Sequence, residues 1–123
     1  MGASHFLLYP LTFYVAPSEP QNFTVVNVTS TAIMVSWQPP AIPNGVVTRY
    51  FVWYMETLTC NNSQVSTSSR AELLPTADTH TFTELEEDTV YVFYVSAETS
   101  AGEGEAAMVM ERTREDGEFD KLL

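Results

Sequence analysis

Histidine, cysteine and clustered carboxylates are the side chains of this chain that could support catalysis or bind a metal. His5 and His80 are far apart, Cys60 is the single cysteine, and Asp78 precedes His80 with no nucleophile motif nearby. These residues lack the spacing of a metal site, and the acidic cluster at 84–88 lacks the alternating ligands of a calcium loop. We therefore expect His80 to be an ordinary surface side chain, and we predict a non-enzyme without a metal or cofactor site.

Three Asn-x-Ser/Thr motifs are the remaining candidates for chemistry, because they are acceptor sites for N-glycosylation. The motifs begin at Asn22, Asn27 and Asn61. If the apolar residues of the segment 23–28 face a core, Asn22 and Asn27 point to solvent, as attachment of a glycan requires. These motifs predict a secreted or cell-surface protein.

The charge balance excludes several classes of partner. The chain has 16 acidic and five basic residues, a formal net charge of −11, and the basic residues form no cluster. DNA, RNA, heparin and anionic lipid all bind through a positive surface, so we predict no nucleic-acid partner. No stretch reaches the about 20 apolar residues of a membrane span, so we predict no membrane insertion by this segment.

The elements that must position these residues are clearest in the run VYVFYV, residues 90–95. Every residue in this run is β-branched or aromatic, and such side chains fit a pleated strand better than a helix. Alternate residues of a strand face opposite sides of a sheet. We therefore predict a strand over 89–97, with Tyr91, Phe93 and Val95 on its buried side.

Similar patterns along the chain predict seven strands, separated by turns, and no helix. The predicted strands are residues 23–28, 32–37, 46–55, 71–74, 79–85, 89–97 and 107–113. Their number and spacing are typical of a β-sandwich made of two sheets. The lone Cys60 excludes an internal disulfide, so such a domain depends on its hydrophobic core alone.

Four sequence stretches resemble the fibronectin type III domain over residues 17–114. The stretches are PSEPQNF from Pro17, QPP after Trp37, PNGVVTRYFVWY from Pro43 and LEEDTVYVFYVSAETSAGEGEA from Leu85. The resemblance implies an immunoglobulin-like sandwich without a disulfide, in which strands A, B and E face strands C, C′, F and G.

Strand parity and the resemblance agree on the core, which we expect to surround Trp37. The predicted core residues are Ile33, Val35, Trp37, Tyr50, Val52, Tyr54, Leu85, Tyr91, Phe93 and Val95. The resemblance also implies a corner formed by Leu85 and Tyr91, in which the tyrosine hydroxyl bonds to the backbone near the turn. Glu87 occupies a position where the family usually has proline, and we expect this difference to loosen the E–F turn without threatening the fold.

The opposite parity leaves an apolar outer face on two neighbouring strands. Its residues are Phe51, Trp53, Met55, Val90, Val92 and Tyr94. A solvated sheet face carries polar residues instead. We therefore predict a protein-binding face, covered either by the apolar leader FLLYPLTFYV or by another protein. The alternative is a tolerated patch near the sheet edges.

These expectations combine into one functional hypothesis. Residues 1–16 form an apolar leader or a remnant of an upstream segment, 17–114 the fibronectin type III domain, and 115–123 an acidic linker or an added tail. The resemblance implies a non-catalytic extracellular module, which occurs beside like modules in receptor tyrosine phosphatases and neural adhesion receptors. The module would act as a spacer and a protein-interaction surface of a membrane-anchored parent, and any catalytic domain of that parent would lie elsewhere.

Two other functions fit parts of the sequence. A ligand-recognition module of a cytokine-type receptor would explain the exposed aromatic residues, but the chain lacks the cysteine pairs and the Trp-Ser-x-Trp-Ser motif of that class. An intracellular structural module would explain the free thiol of Cys60. Sugar on Asn22 or Asn27 would exclude the intracellular alternative.

Overall fold

The computed structural model describes residues 15–57 and 66–115, which form nine strands in two sheets. The strands are β1 (Pro20–Val28), β2 (Ile33–Pro40), β3 (Arg49–Glu56), β4 (Ser66–Thr67), β5 (Ala71–Leu73), β6 (Thr79–Phe82), β7 (Val90–Thr99), β8 (Gly102–Glu103) and β9 (Ala107–Arg112). A three-stranded sheet has the order β1-β2-β6, and β3 and β7 are central in a six-stranded sheet. The described residues contain no helix, so the predicted all-β sandwich is confirmed.

All seven predicted strands are present, and two short strands, β4 and β8, extend the six-stranded sheet. β3 begins at Arg49 rather than at residue 46, because Asn44 and Gly45 have φ angles of 58° and 139° and turn the chain before it. β6 ends at Phe82 rather than at residue 85, because Glu84 has a φ angle of 60°. Turn geometry therefore sets the strand ends that hydrophobic patterning misplaces.

The two sheets correspond to the arrangement that the resemblance implies. β1, β2 and β6 are strands A, B and E, whereas β3, β5, β7 and β9 are strands C, C′, F and G. Every strand pair is antiparallel, and the long central pair β3–β7 keeps one register from Arg49 opposite Glu98 to Glu56 opposite Tyr91. An unbroken register fixes which residues of both strands share a face.

The sheets enclose one hydrophobic core around Trp37, whose ring centroid lies 5.6 Å from that of Tyr50. The predicted core residues that the structure buries are Ile33, Val35, Trp37, Tyr50, Val52, Leu85, Tyr91, Phe93 and Val95. Tyr54 is half-buried, because it lies near the end of β3, and its ring packs edge-on against Phe82 and Tyr91. Phe82, which the predicted list does not include, is fully part of the core.

The E–F turn contains the corner that the resemblance implies. The backbone N–H of Glu86 donates a 2.7 Å hydrogen bond to the hydroxyl oxygen of Tyr91. The hydroxyl of Thr113 donates a 2.6 Å hydrogen bond to the carbonyl of Glu86. Burial raises the pKa of Tyr91, so its hydroxyl stays protonated in this corner. Hydrogen bonds of Glu86 with Tyr91 and Thr113 thus hold the turn that carries Glu87 in place of proline.

Candidate protein-interaction face

The outer side of the six-stranded sheet carries apolar side chains from its two central strands. Alternation along a strand turns every second residue away from the core. The outward apolar residues are Phe51, Trp53 and Met55 on β3 and Val90, Val92 and Tyr94 on β7. The register places Trp53 opposite Tyr94 and Met55 opposite Val92, so these residues are neighbours on one surface.

Trp53 and Tyr94 form the centre of this surface. Their rings are stacked, with centroids 5.2 Å apart and planes 9° from parallel. Such aromatic pairs contribute about 0.5–1.5 kcal/mol beyond the area they bury. The outward residues are half-buried rather than fully exposed, and Val92 is buried. The aromatic and aliphatic side chains therefore shield one another from water.

Arg70, in the segment just before β5, covers part of the same surface. Its guanidinium carbon lies 4.1 Å from the ring centroid of Trp53 and 4.8 Å from that of Phe51. The guanidinium carbon of Arg49 also lies over the Phe51 ring, 5.4 Å from its centroid. A guanidinium over an aromatic ring is attracted by the electrons of the ring face, and its planar apolar surface packs against the ring. The arginines thus reduce the exposure of the aromatic rings.

Carboxylates hold both arginines in place. Glu103 of β8 receives two hydrogen bonds from the Arg70 guanidinium and a 2.5 Å hydrogen bond from the Ser96 hydroxyl. The hydrogen bonds from Arg70 are the main reason that the pKa of Glu103 lies below its usual value. Arg49 pairs with Glu72 and Glu98. Each arginine is therefore oriented by partners on strands other than β3.

β9 extends this surface by two residues that the sequence analysis did not single out. Met108 lies opposite Tyr94, and Met110 lies opposite Val92. These methionines have 64% and 58% of their surface exposed, so they are the most exposed part of it. The alternation in the stretch AMVMER was the signal that could have identified them. We define the apolar face as Phe51, Trp53, Met55, Val90, Val92, Tyr94, Met108 and Met110.

A separate, concave surface lies where the β2–β3 and β7–β9 loops meet the start of the described chain. The N–H of Ser18 donates a 3.0 Å hydrogen bond to the carbonyl of Ile42. A Cβ atom on Gly104 would lie 2.0 Å from the carbonyl oxygen of Pro17, so this close approach requires glycine. Together these segments form an open groove of about 590 Å³. The groove contains no cluster of ionisable groups that indicates chemistry.

Comparison with known protein families identifies the sandwich. The model of the fibronectin type III domain family matches residues 18–112. This chain belongs to the fibronectin type III family. The resemblance read from the sequence and the predicted fold are thereby confirmed.

Proteins similar to this fibronectin type III domain include a cell adhesion molecule and a tyrosine-protein phosphatase. Protein sidekick-2 of Mus musculus is 32% identical over 91% of this chain and 5% of its own length. Tyrosine-protein phosphatase Lar of Drosophila melanogaster is 34% identical over 71% of this chain and 4% of its own length. Neuronal cell adhesion molecule of Rattus norvegicus is 34% identical over 72% of this chain and 7% of its own length. The chain thus spans less than a tenth of each of these relatives.

Solved structures show the same fold. The third fibronectin III domain of human KIAA0343 protein superposes with a TM-score of 0.71 at 22% identity, covering 85% of this chain and 88% of that one. The FN5 domain of Drosophila Lar superposes with a TM-score of 0.63 at 24% identity, covering 80% of this chain and 98% of that one. At these identities the likeness concerns the fold.

The glycosylation motifs on β1 lie on the sheet opposite the apolar face. Asn22 and Asn27 are exposed, whereas Phe23 of the same strand packs against the core. The side-chain amide of Asn22 donates a 2.5 Å hydrogen bond to Gln38, and the Asn27 side-chain oxygen accepts a 3.0 Å hydrogen bond from the next backbone N–H. Asn61 lies outside the described residues.

His80 is not the surface side chain that we expected. It lies on the inner side of β6, half-buried, with its ring centroid 4.7 Å from that of Phe82. Burial lowers the pKa of His80, because the charged imidazolium is poorly solvated there. His5, Cys60 and the apolar leader up to residue 14 lie outside the described residues. Within 15–57 and 66–115, no three His, Cys, Asp or Glu residues are grouped for a metal ion, and no helix is long and apolar enough to cross a membrane.

Proposed function

We propose that this chain is a non-catalytic extracellular fibronectin type III module of a larger cell-surface receptor or adhesion protein, and that it binds another protein through the apolar face. The observation that carries the proposal is the Trp53–Tyr94 stack at the centre of that face. Tryptophan, tyrosine, arginine and methionine are the residues enriched at protein interfaces. All four residue types meet here, on a sheet surface where polar side chains are the rule.

The class of the relatives supports this proposal. Two of the relatives named above are a cell adhesion molecule and a tyrosine-protein phosphatase. Because the chain spans only 4–7% of these two proteins, their activities and partners belong to much longer chains. The phosphatase chemistry of a relative such as Lar would lie in another domain, and the present module would contribute recognition and spacing.

The positions of Ala16 and Arg114, near the two ends of the described sandwich, support a spacer role. The described chain begins beside the β2–β3 loop, where Asn44 donates a 3.1 Å hydrogen bond to the carbonyl of Ala16. It ends beside the turns at the other end of the strands, where Arg114 donates a 3.0 Å hydrogen bond to the carbonyl of Thr29. Entry and exit at opposite ends allow like modules to follow one another in a row. Neighbouring fibronectin type III modules are therefore proposed partners within the parent chain.

The exposure of Asn22 and Asn27 supports an extracellular location, with glycans on the sheet that lies opposite the apolar face. We expect the protein, when secreted from a eukaryotic cell, to lose mass on treatment with an N-glycosidase. Asn22→Gln and Asn27→Gln should each remove one glycan, while Asn44→Gln, outside any motif, serves as the control. A secreted protein without glycans at either position would contradict the proposed location.

Binding through the apolar face is tested with two variants of equal charge. Trp53→Glu combined with Tyr94→Glu adds two negative charges to the apolar face. Val26→Glu combined with Thr81→Glu adds two to the outer side of the three-stranded sheet, where both residues are exposed. The protein is prepared as fluorescently labelled tetramers and added to cells that display its partner. We expect the affinity of the first variant for these cells to fall at least about tenfold, whereas the control variant binds like the unmutated protein. Equal binding by both folded variants would contradict the proposal.

The apolar leader is tested separately as a cover for this face. Deletion of residues 1–14 leaves the groove beside Pro17 intact, because that groove involves only residues from Val15 onward. If a protein partner rather than the leader covers the face, the deletion should change neither cell binding nor the fluorescence of a hydrophobic dye. A marked increase of both would show that the leader competes for the apolar face.

A further inference from the structure

β9 is an edge strand whose outward backbone groups can be assigned from neighbouring hydrogen bonds. Among the described residues β9 pairs only with β7, in an unbroken register. The N–H of Thr113 donates a 2.9 Å hydrogen bond to the carbonyl of Thr89, one step beyond the end of this ladder. Because hydrogen-bonded and non-hydrogen-bonded pairs alternate in an antiparallel ladder, Val109 and Glu111 also bond to β7. Met108, Met110 and Arg112 therefore direct their N–H and C=O groups away from the sheet.

Two of these outward positions have no hydrogen-bond partner within the described part of the chain. The N–H of Arg112 donates to the carboxylate of Glu111 at 3.2 Å. Farther along, the N–H of Arg114 donates to the carbonyl of Thr29 at 3.0 Å. No residue within 15–57 or 66–115 pairs with the outward backbone groups of Met108 and Met110. The unsatisfied edge thus coincides with the most exposed side chains of the apolar face.

The other edges of the two sheets are protected, whereas β9 is not. β1 starts with Pro20 and carries three register shifts, β5 has three residues, and β6 has four. Prolines, irregular registers and short strands are the usual means of preventing edge-to-edge pairing. β9 has six residues without a proline, a lysine or a register shift.

Among the described residues the neighbouring strand β1 pairs with β2 and forms no ladder with β9. Depressions of about 450 Å³ and 270 Å³ separate the two strands near the two ends of β9. Phe23 and Met108 line the first depression, and Val28 and Arg112 line the second. An added strand would lie about 4.8 Å from β9 in the plane of the six-stranded sheet, beside these depressions.

We propose that a second copy of this chain adds to this edge, with the two β9 strands antiparallel and Val109 opposite the Val109 of the second copy. In this register Met108 lies opposite the Met110 of the second copy and exchanges hydrogen bonds with it, which gives about four hydrogen bonds across the twofold axis. Moving the twofold axis two residues along β9 would place Glu111 opposite Glu111, where like charges repel. The charge of Glu111 therefore disfavours that register, and the proposed register joins two apolar faces into one.

Charge also favours this edge over other contacts between two copies. Each chain carries a formal charge of −11, so most surfaces of two copies repel each other. Within β9 the charges of Glu111 and Arg112 cancel. Three of the four described arginines also lie on the outer side of the six-stranded sheet, namely Arg49, Arg70 and Arg112. Salt screens the remaining repulsion. Self-association should therefore strengthen with salt, whereas binding of a basic protein partner would weaken.

The proposal is tested by sedimentation equilibrium of the full chain at increasing concentration and salt, with Met110→Pro and Met110→Thr compared. Proline removes an outward N–H and leaves the bonds to β7, whereas threonine removes the methionine side chain and keeps the N–H. We expect a concentration-dependent dimer whose Kd rises about tenfold or more with Met110→Pro and less than about threefold with Met110→Thr. A monomer at millimolar concentration and high salt, or equal weakening by both variants, would overturn the proposal.

A cross-linking experiment is independent of whether the proline variant folds. In a Cys60→Ser background, Val109→Cys should form a disulfide-linked dimer on mild oxidation, because facing residues of a non-hydrogen-bonded pair have Cα atoms about 4.5 Å apart. Glu111→Cys on the same strand is the matched control and should remain largely monomeric, since it faces Ala107 of the second copy. Equal cross-linking of both variants would contradict the register. The Trp53→Glu, Tyr94→Glu variant should still dimerise, so this inference and the proposed function can fail separately.

Discussion

The outer sides of the two sheets differ although both sheets share one core. On the three-stranded sheet the outward side carries Thr24, Ser36 and Gln38, with a side-chain contact between Thr24 and Ser36 at 3.4 Å. On the six-stranded sheet the corresponding side carries the stack of Trp53 on Tyr94. The inner sides must satisfy the same requirement for close packing. The outer sides are free of that requirement, so their difference is informative about function.

The difference shows how this protein keeps a large apolar surface in water. The outer side of the three-stranded sheet is mostly polar, although it includes Met34 and the exposed Val26, and it carries the two described glycosylation motifs. On the other sheet, Arg70 lies over Trp53 and is held by Glu103, so charged groups shield the rings while the two methionines of β9 stay open. An aromatic centre with an exposed methionine margin is typical of surfaces that adapt to a partner.

The largest expected effect is a difference in how much the two outer sides contribute to the free energy of unfolding. Trp53→Ala removes a half-buried indole together with its contacts to Tyr94 and Arg70, and should lower the free energy of unfolding by about 2 kcal/mol or more. Thr81→Ala, on the exposed outer side of β6, should change it by about 0.5 kcal/mol or less. Urea unfolding of both variants measures the difference. Equal losses would mean that the two outer sides contribute alike.

A smaller effect isolates the arginine cover of the aromatic residues. Arg70→Ala removes the guanidinium from Trp53, and should lower the free energy of unfolding by about 1 kcal/mol and shift the tryptophan emission to longer wavelength. Arg112→Ala is the control, because Arg112 forms an exposed ion pair with Asp88 at 2.7 Å, and no aromatic ring contact of Arg112 is seen in 15–57 or 66–115. It should leave both quantities nearly unchanged. An unshifted emission in Arg70→Ala would contradict the proposed shielding.

The smallest expected effects are losses of stability at acidic pH. They occur at different pH values in the two sheets. Burial lowers the pKa of His80 in the folded protein below 6.5, the ordinary value that applies to the unfolded chain. As the pH falls, the unfolded chain is therefore protonated before the folded protein. Neutral His80 contributes fully to stability above pH 6.5, and this contribution declines as the pH falls below 6.5. The pKa of Glu103 is lowered mainly by Arg70, so its contribution is lost only as the pH falls below 4.5.

Matched variants assign these two steps. His80→Gln should flatten the pH dependence of the urea midpoint between pH 7 and 5, and Glu103→Gln should flatten it below pH 4.5. Because both groups are partly exposed, each change should be modest. A His80→Gln variant with an unaltered profile above pH 5 would mean that the folded protein solvates the imidazolium as well as water does.

Strand parity in the sequence predicted much of the fold and the central residues of the candidate site. The run at 90–95 identified both the buried Phe93 and the outward Tyr94, because side chains alternate with a period of two in any strand. Parity did not predict strand ends, since Asn44 and Glu84 adopt positive φ angles that depend on the turns around them. The sequence analysis also did not place His80 on the inner side, although its spacing of two residues from the apolar Phe82 was the signal that could have done so.

The sequence by itself determined the family, the alternation of core and outward residues, and the chemical nature of the apolar face. These properties depend on neighbours along the chain, and a single strand already expresses them. The tertiary structure alone decided how exposed that face is and where it ends. Arg70 reaches Trp53 from a distant segment and is held there by Glu103 of β8. Met108 and Met110 border the face only because β9 pairs with β7. Strand pairing joins parts of the chain that are remote in sequence, so no local pattern could specify these contacts.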